Sequence, residues 1–458
     1  MFIRQLIGIL IVILSVAGTA SAQWTAEKPG SDNIEVLSHL PLGPRLSVSD
    51  VDLEQEMDRP YAYVGRMVYG TEGDKGLDII DISDPRKAKR IYSWRIEDQD
   101  LHLGTGGMDV KHFKYKDRYY VVQSLQFRQG GPDNDLGAVV LDVTGLPDPT
   151  TVKEVARIRE PDHPGGFHNI FIYKHSNGAV LLFTTISGPF SHVYDLGRVV
   201  EGDLENALVA KVPVPNSESE RRGYHDFYAG YHPDSAEDRF YGGGTGGYYV
   251  YNVTDLEEPK LLVSLTGIRG VKNGHTFTPT PDGRYVVAET EYQYAPLRIF
   301  DLKPGLDKEV ETISKPIGAW TADWRNLAHN HEIRWPYVFV SAYLDGLQVF
   351  SLMDPKNPTT VAYYDTYTGP PNTERYAMFN GAFGVDVRNA DGLIVVSDMT
   401  TGFWVFRMEG FQGWKGEDWG MPNISSARTG RRLRAQTAIN NNATLSGAFR
   451  AGGFGERR

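Results

Sequence analysis

Cysteine is absent from all 458 residues. No disulfide can staple the fold, no thiolate can act as a nucleophile, and lipid cannot be attached through an N-terminal cysteine. Any metal must be held by nitrogen and oxygen. Long helical patterns are scarce, and beyond the N-terminus no apolar run is long enough to cross a bilayer as a helix. Gly-x-Ser-x-Gly does not occur, and GGGTGG at 242–247 lacks the strand-to-helix setting of a nucleotide loop. Positive charge is in deficit: the formal net charge is −11, which argues against a general affinity for nucleic acid.

What is plentiful is glycine (49) and tyrosine (25), a composition suited to an all-β chain rich in tight turns. The N-terminus carries Arg4, an apolar stretch from Leu6 to Gly18 and the small residues Ala20, Ser21 and Ala22. That is the pattern of a secretory signal cleaved after Ala22, so residues 1–22 are expected to be lost and the protein to be secreted or periplasmic, without stable membrane insertion. From about residue 411 hydrophobicity drops. Between Arg428 and Arg458 seven arginines face one acid, Glu456, which reads 411–458 as a basic, disordered tail.

Between these ends a short apolar strand with a polar residue near its end recurs seven times. The polar positions are Asp81, Asp142, Asp195, Asn252, Asp301, Ser351 and Arg407, spaced by 61, 53, 57, 49, 50 and 56 residues. This period suits a four-stranded propeller blade and exceeds that of the common helical repeats. A turn containing Asp or Pro follows most copies, then an alternating strand, as in SDPRKAKRIYSWRI at 83–96. The last copy has no such strand after it, whereas 32–43 near the N-terminus resembles one. The expected fold is therefore an all-β, seven-bladed propeller over 23–410, with residues 33–41 closing the seventh blade so that no sheet edge is left open.

Four histidines fall near one register of this repeat: His168, His225, His275 and His331, lying 27, 27, 26 and 20 residues before the matching polar position. Each belongs to the opening, innermost strand of its blade, so the imidazoles should meet on the axis. His329 shares a strand face with His331 and can substitute for it. At the same register the other blades offer Met108, Val385 and a residue near Val51. Four imidazoles without cysteine would leave coordination positions open on iron, copper or zinc, whereas a structural zinc site is normally closed. Partners for the second ring nitrogens are sought first in Glu289 and Glu291, then in Asp226 and Glu332, which should serve a neighbouring blade. A structural origin remains open, because a histidine bonded across the axis could be copied from blade to blade without any metal.

The segments GLDIIDISDP (76–85), GAVVLDVTGLPDP (137–149), GYYVYNVTDLEEP (247–259) and GLQVFSLMDPKNP (346–358) resemble the LVIVD repeat, and weaker copies at 193–198, 296–302 and 402–408 extend the resemblance over most of the chain. It implies a bacterial secreted or surface β-propeller. The chain is also distantly similar to the selenium-binding protein and methanethiol oxidase propellers, which implies a histidine-bound metal but transfers no ligand residue by residue. The function expected is a metal-dependent oxidase, oxygenase or lyase acting on a small organic molecule. The alternative is a non-catalytic surface module that binds a protein or glycan.

Overall fold

A computed structural model describes residues 29–215, 217, 222–232, 234–367 and 378–414. The expected signal segment and residues 415–458 of the basic tail lie outside the described residues. The chain is a seven-bladed β-propeller, built from seven four-stranded antiparallel sheets. The inner strands of blades one to seven are Val48–Leu53, Gly106–Tyr115, Ile170–Lys174, Tyr224–His232, Phe277–Pro279, His331–Arg334 and Ala382–Val387. No helix among the described residues is long and apolar enough to cross a membrane.

The seven polar positions read from the sequence close the third strand of each blade, and six of them share one hydrogen bond. Asp81, Asp142, Asp195, Asn252 and Asp301 each accept the backbone N–H two residues on, at 2.8–3.0 Å, and the Ser351 hydroxyl accepts that of Met353 at 3.2 Å. A short side chain that accepts from residue i+2 imposes a turn, which ends the strand and sends the chain to the outer edge of the blade. The repeat is therefore a punctuation mark, and its physical content is the turn.

Apolar residues on both faces of each sheet pack against the two neighbouring blades. Seven buried clusters lie between successive blades, for example Leu77, Val121 and Val139 between blades one and two, and Val349, Val385 and Val396 between blades six and seven. Closure occurs where the sequence placed it. Strand Ile34–Leu40 pairs antiparallel with Gly402–Met408, from Ile34 opposite Met408 to Leu40 opposite Phe403, and supplies the outer strand of blade seven. Phe411 and Trp414, at the start of the segment read as tail, still pack on the body: Phe411 is buried beside Phe339, and the Trp414 N–H bonds Asn389 O at 2.8 Å.

At the hub, carboxylates tie each inner strand to the next. Asp109 accepts its own neighbour Val110 N–H at 2.7 Å and, with its other oxygen, Ile170 N–H of blade three at 2.9 Å. Asp386 does the same for Val387 N–H and for Leu53 N–H of blade one, and Asp226 for Phe227 N–H and the Thr276 hydroxyl of blade five. Inner strands splay toward the axis and cannot share a ladder, so these charge-assisted bonds satisfy N–H groups that would otherwise be stranded. They surround a narrow axial cavity of about 40 Å³, lined by all seven inner strands.

Three outcomes are expected. Asp386→Ala strands two buried N–H groups and weakens the Arg334 pairing, so urea unfolding should show a loss of about 3 kcal/mol. Deleting residues 29–41 should expose the edge of Gly402–Met408 and give aggregated protein on gel filtration, while Leu37→Ala alone should lose about 2 kcal/mol.

Candidate metal centre

His168, His275 and His329 sit two residues ahead of their inner strands, and His225 is the second residue of its own. Ladder bonds that continue past the strand ends hold them. The His275 N–H donates to Glu289 O at 2.9 Å and the His329 N–H to Ser341 O at 3.0 Å, while Thr185 Oγ1 accepts the His168 N–H at 2.8 Å. Consecutive imidazoles then touch around the hub: centroids are 4.8 Å apart for His168 and His225, 4.2 Å for His225 and His275, and 5.0 Å for His275 and His329.

Three of the four have Nδ1 turned to oxygen. His168 Nδ1 lies 2.5 Å from Gln126 Oε1 and His329 Nδ1 2.5 Å from Phe383 O, while His275 Nδ1 is hydrogen-bonded with Thr276 Oγ1 at 3.0 Å and forms an ion-pair contact of 2.7 Å with Glu289 Oε2. An Nδ1–H donated to an oxygen leaves the lone pair on Nε2, the tautomer a metal requires. The Nε2 atoms of His168 and His225 are 3.0 Å apart, and buried His275 Nε2 has no hydrogen-bond partner. Two donors bound at about 2.1 Å and at right angles on one ion would stand about 3 Å apart. His225, His275 and Glu291 each offer a ligand atom within 4.8 Å of the others. Glu291, sought as a partner for a second ring nitrogen, thus faces the same point as the imidazoles, and Tyr343 donates to its Oε1 at 2.5 Å.

The charges suit this arrangement. Burial pushes His168 and His225 well below the ordinary imidazole range, aided by the charges of Arg222 and His275, and it lowers His329 in the same way. Burial also works against charge on His275, but the Glu289 carboxylate overrides it and holds that ring at about 9, while burial brings Glu289 up to about 7. Without an ion the cluster is one imidazolium paired to Glu289 among neutral rings. With one, Glu289 is placed to take the His275 Nδ1 proton bond and the Nε2 is free to ligate.

His329, the substitute, is the residue that continues the circle. His331 lies two residues further along, 4% exposed, lining the axial cavity with neither ring nitrogen hydrogen-bonded in good geometry, and burial lowers it to about 3. The sequence marks the true register through the residue that follows: His168-Asn169, His225-Asp226, His275-Thr276 and His329-Asn330. Blade seven shows the same two-residue offset, with Phe383 tilted against His329 at a centroid distance of 4.0 Å where Val385 was expected. The remaining candidates turn elsewhere. Asp226 staples blades four and five, and the Glu332 carboxylate accepts from Arg334 at 2.7 Å.

Sequence reasoning passed over Gln126 and Arg222. Gln126 comes from another blade at no fixed offset from the histidines. Tyr343, one of the aromatics that the sequence places near the same strand ends, is held with φ +44°, a conformation uncommon for a bulky side chain. An eighth apolar cluster, of Met67, Met108, Leu327, Tyr343, Phe383 and Met399, covers the half of the hub that the imidazoles do not.

No family model and no curated protein matches this chain. Among solved structures, Raptor from Chaetomium thermophilum aligns with a TM-score of 0.52 at 9% identity, covering 82% of this chain and 29% of that one. This chain thus spans under a third of that protein's length, and the likeness at such identity is one of fold alone. The class so defined is the seven-bladed β-propeller.

His232 offers a check on buried neutral imidazoles away from the hub. It accepts from the Tyr241 hydroxyl at 2.7 Å, and burial holds its pKa well below 6.5. The unfolded chain therefore binds one more proton than the folded one below that pH, and stability present above it is lost as pH falls. His232→Gln should flatten the slope of unfolding free energy between pH 6.5 and 5 by up to about 1.4 kcal/mol per unit, measured by urea titration at several pH values.

Proposed function

We propose that the protein is a secreted or periplasmic propeller whose hub histidines hold one divalent transition ion, iron, copper or zinc, for the oxidation, oxygenation or cleavage of a small organic substrate. The observation that carries this reading is the orientation of the imidazoles: Nδ1 of His168, His275 and His329 faces oxygen, the Nε2 atoms of His168 and His225 lie 3.0 Å apart, and His225, His275 and Glu291 offer ligand atoms within 4.8 Å of one another. Copying one structural histidine among blades accounts for its position. It does not account for an orphaned buried Nε2 on His275 or for Glu291 aimed at the same point. The N-terminal pattern of base, apolar stretch and small residues, and the likeness to LVIVD repeats, support the secreted location.

Bound there, such an ion would supply a Lewis-acid or redox centre with open positions. The chain's own groups would do the rest. Glu289 fixes the His275 tautomer, Glu291 presents a carboxylate to the open side for holding or moving a proton, and the Tyr343 hydroxyl fixes that carboxylate's orientation. The methionine-rich wall opposite limits water at the site.

Protein purified without chelator should carry about one equivalent of metal by elemental analysis, lost in the His225→Ala/His275→Ala double variant. His329→Ala should weaken metal binding at least ~10-fold, whereas His331→Gln should leave it unchanged. Metal-free wild-type protein, with the double variant as stable as wild type, would instead point to a non-catalytic surface module.

A further inference from the structure

Buried arginines in this protein meet carboxylates. Arg59 pairs with Glu54 at 2.9 Å, Arg66 with Asp78 at 2.7 Å, Arg334 with Glu332 at 2.7 Å and Arg388 with Asp391 at 2.7 Å. Arg298 instead bonds the Thr290 hydroxyl and the Pro296 carbonyl. Arg222 differs from all of these. It lies three residues before His225, with its backbone bridged to Ser187 and Gly188 of blade three, and is only part-exposed. Among the described residues its guanidinium forms no hydrogen bond or ion pair. Its charge acts on His168 and His225, and among the described residues the carboxylate that acts on it in return is Glu291, already bonded to Tyr343. Burial lowers its pKa to about 10, so the cation persists at neutral pH.

A secluded guanidinium without an anion is costly, and its planar fork matches a carboxylate in two-point contact. A divalent ion at the hub and Arg222 outweigh the two nearby carboxylates, Glu289 and Glu291, and leave the site electropositive. Beside His329 lies the buried cluster of Met67, Met108, Phe383 and Met399, with the Phe383 ring 4.0 Å from that imidazole. At the rim, Tyr294 and Trp324 are 60% and 62% exposed with centroids 4.8 Å apart. The strands that carry these residues turn at the same end of the wheel as the histidines.

We infer that the site takes a small monocarboxylate with an apolar body, its carboxylate held by Arg222 beside the four histidines and its body against the methionine wall. This rests on the metal reading and gives it a substrate class. Arg222 would act as a specificity residue that fixes which end of the molecule reaches the centre.

The test uses the full mature chain loaded with Co(II), whose visible spectrum reports a ligand arriving at or beside the ion. Hexanoate should perturb the spectrum at concentrations at least ~10-fold below acetate, since each buried methylene adds free energy, and hexanamide should be far weaker than hexanoate. Arg222→Ala should weaken hexanoate by about 30-fold, the loss of a charge-assisted pair, with Arg222→Lys intermediate. One equivalent of Co(II) bound by each variant certifies that it folds, and loss of the positive charge felt at His168 and His225 should leave Co(II) affinity in Arg222→Ala no lower than in the wild type. Cobalt binding with undiminished hexanoate affinity in Arg222→Ala, or equal affinity for acetate and hexanoate, overturns this inference and leaves the metal reading standing. A wild-type chain that binds no cobalt removes both.

Discussion

The hub depends on carboxylates that bind the backbone of two blades at once. Asp109 and Asp386 each accept an N–H from their own strand and one from the next blade, and Asp52 accepts the backbone N–H of His112 at 2.7 Å. Inner strands at the centre of a propeller have no sheet neighbour on their axial side. Without these bonds the position of one blade relative to the next would rest on apolar packing, which is non-directional. With them, inner strands are held in a common register. Side chains just ahead of those strands, the histidines among them, are thereby brought into contact. The staples also keep charge at the core of the wheel. Lys111, between Asp50 at 3.0 Å and Asp109, offsets part of that negative potential.

The two halves of the hub mouth are chemically unlike, and this asymmetry gives the site a direction. Blades three to six contribute imidazoles, while blades seven, one and two contribute Phe383, Met67, Met108 and Met399. A closed circle of seven polar residues would hydrate evenly. Here one side presents lone pairs, Glu291 and Arg222, and the other presents polarizable, adaptable side chains that favour apolar matter. Burial then keeps His168, His225 and His329 neutral, and Glu289 pairs with the one ring that would be charged in an empty site.

Much of this was legible because it is local. An Asp, Asn or Ser that caps its own turn leaves a mark at a fixed place in each repeat, and the period between marks sets the blade size. The strand at 34–40 could be assigned to the far end of the chain because the last repeat lacked its outer edge and an open edge is unstable. His329 and His331 were less separable. Counting back from Ser351 assumes that hairpins keep their length, but His329 lies only 22 residues before Ser351, against 26 or 27 for the other three, so the count does not separate 329 from 331. The polar residue after each histidine keeps the register regardless, since it sits in the zone of blade-to-blade staples. Gln126 and Arg222 left no such mark, because each reaches the centre from a different blade or loop.

The sequence by itself determined the number of blades, their turns, the closure and the presence of repeated imidazoles near the axis, all of which follow from periodicity and from hydrogen bonds spanning two residues. Only the tertiary structure decided which histidine of the pair at 329 and 331 joins the others, and that an arginine with no hydrogen bond or ion pair among the described residues lies near the same point. Those facts depend on how segments from different blades are placed around the hub. A one-dimensional pattern carries no such placement until every blade has taken its angle around the hub.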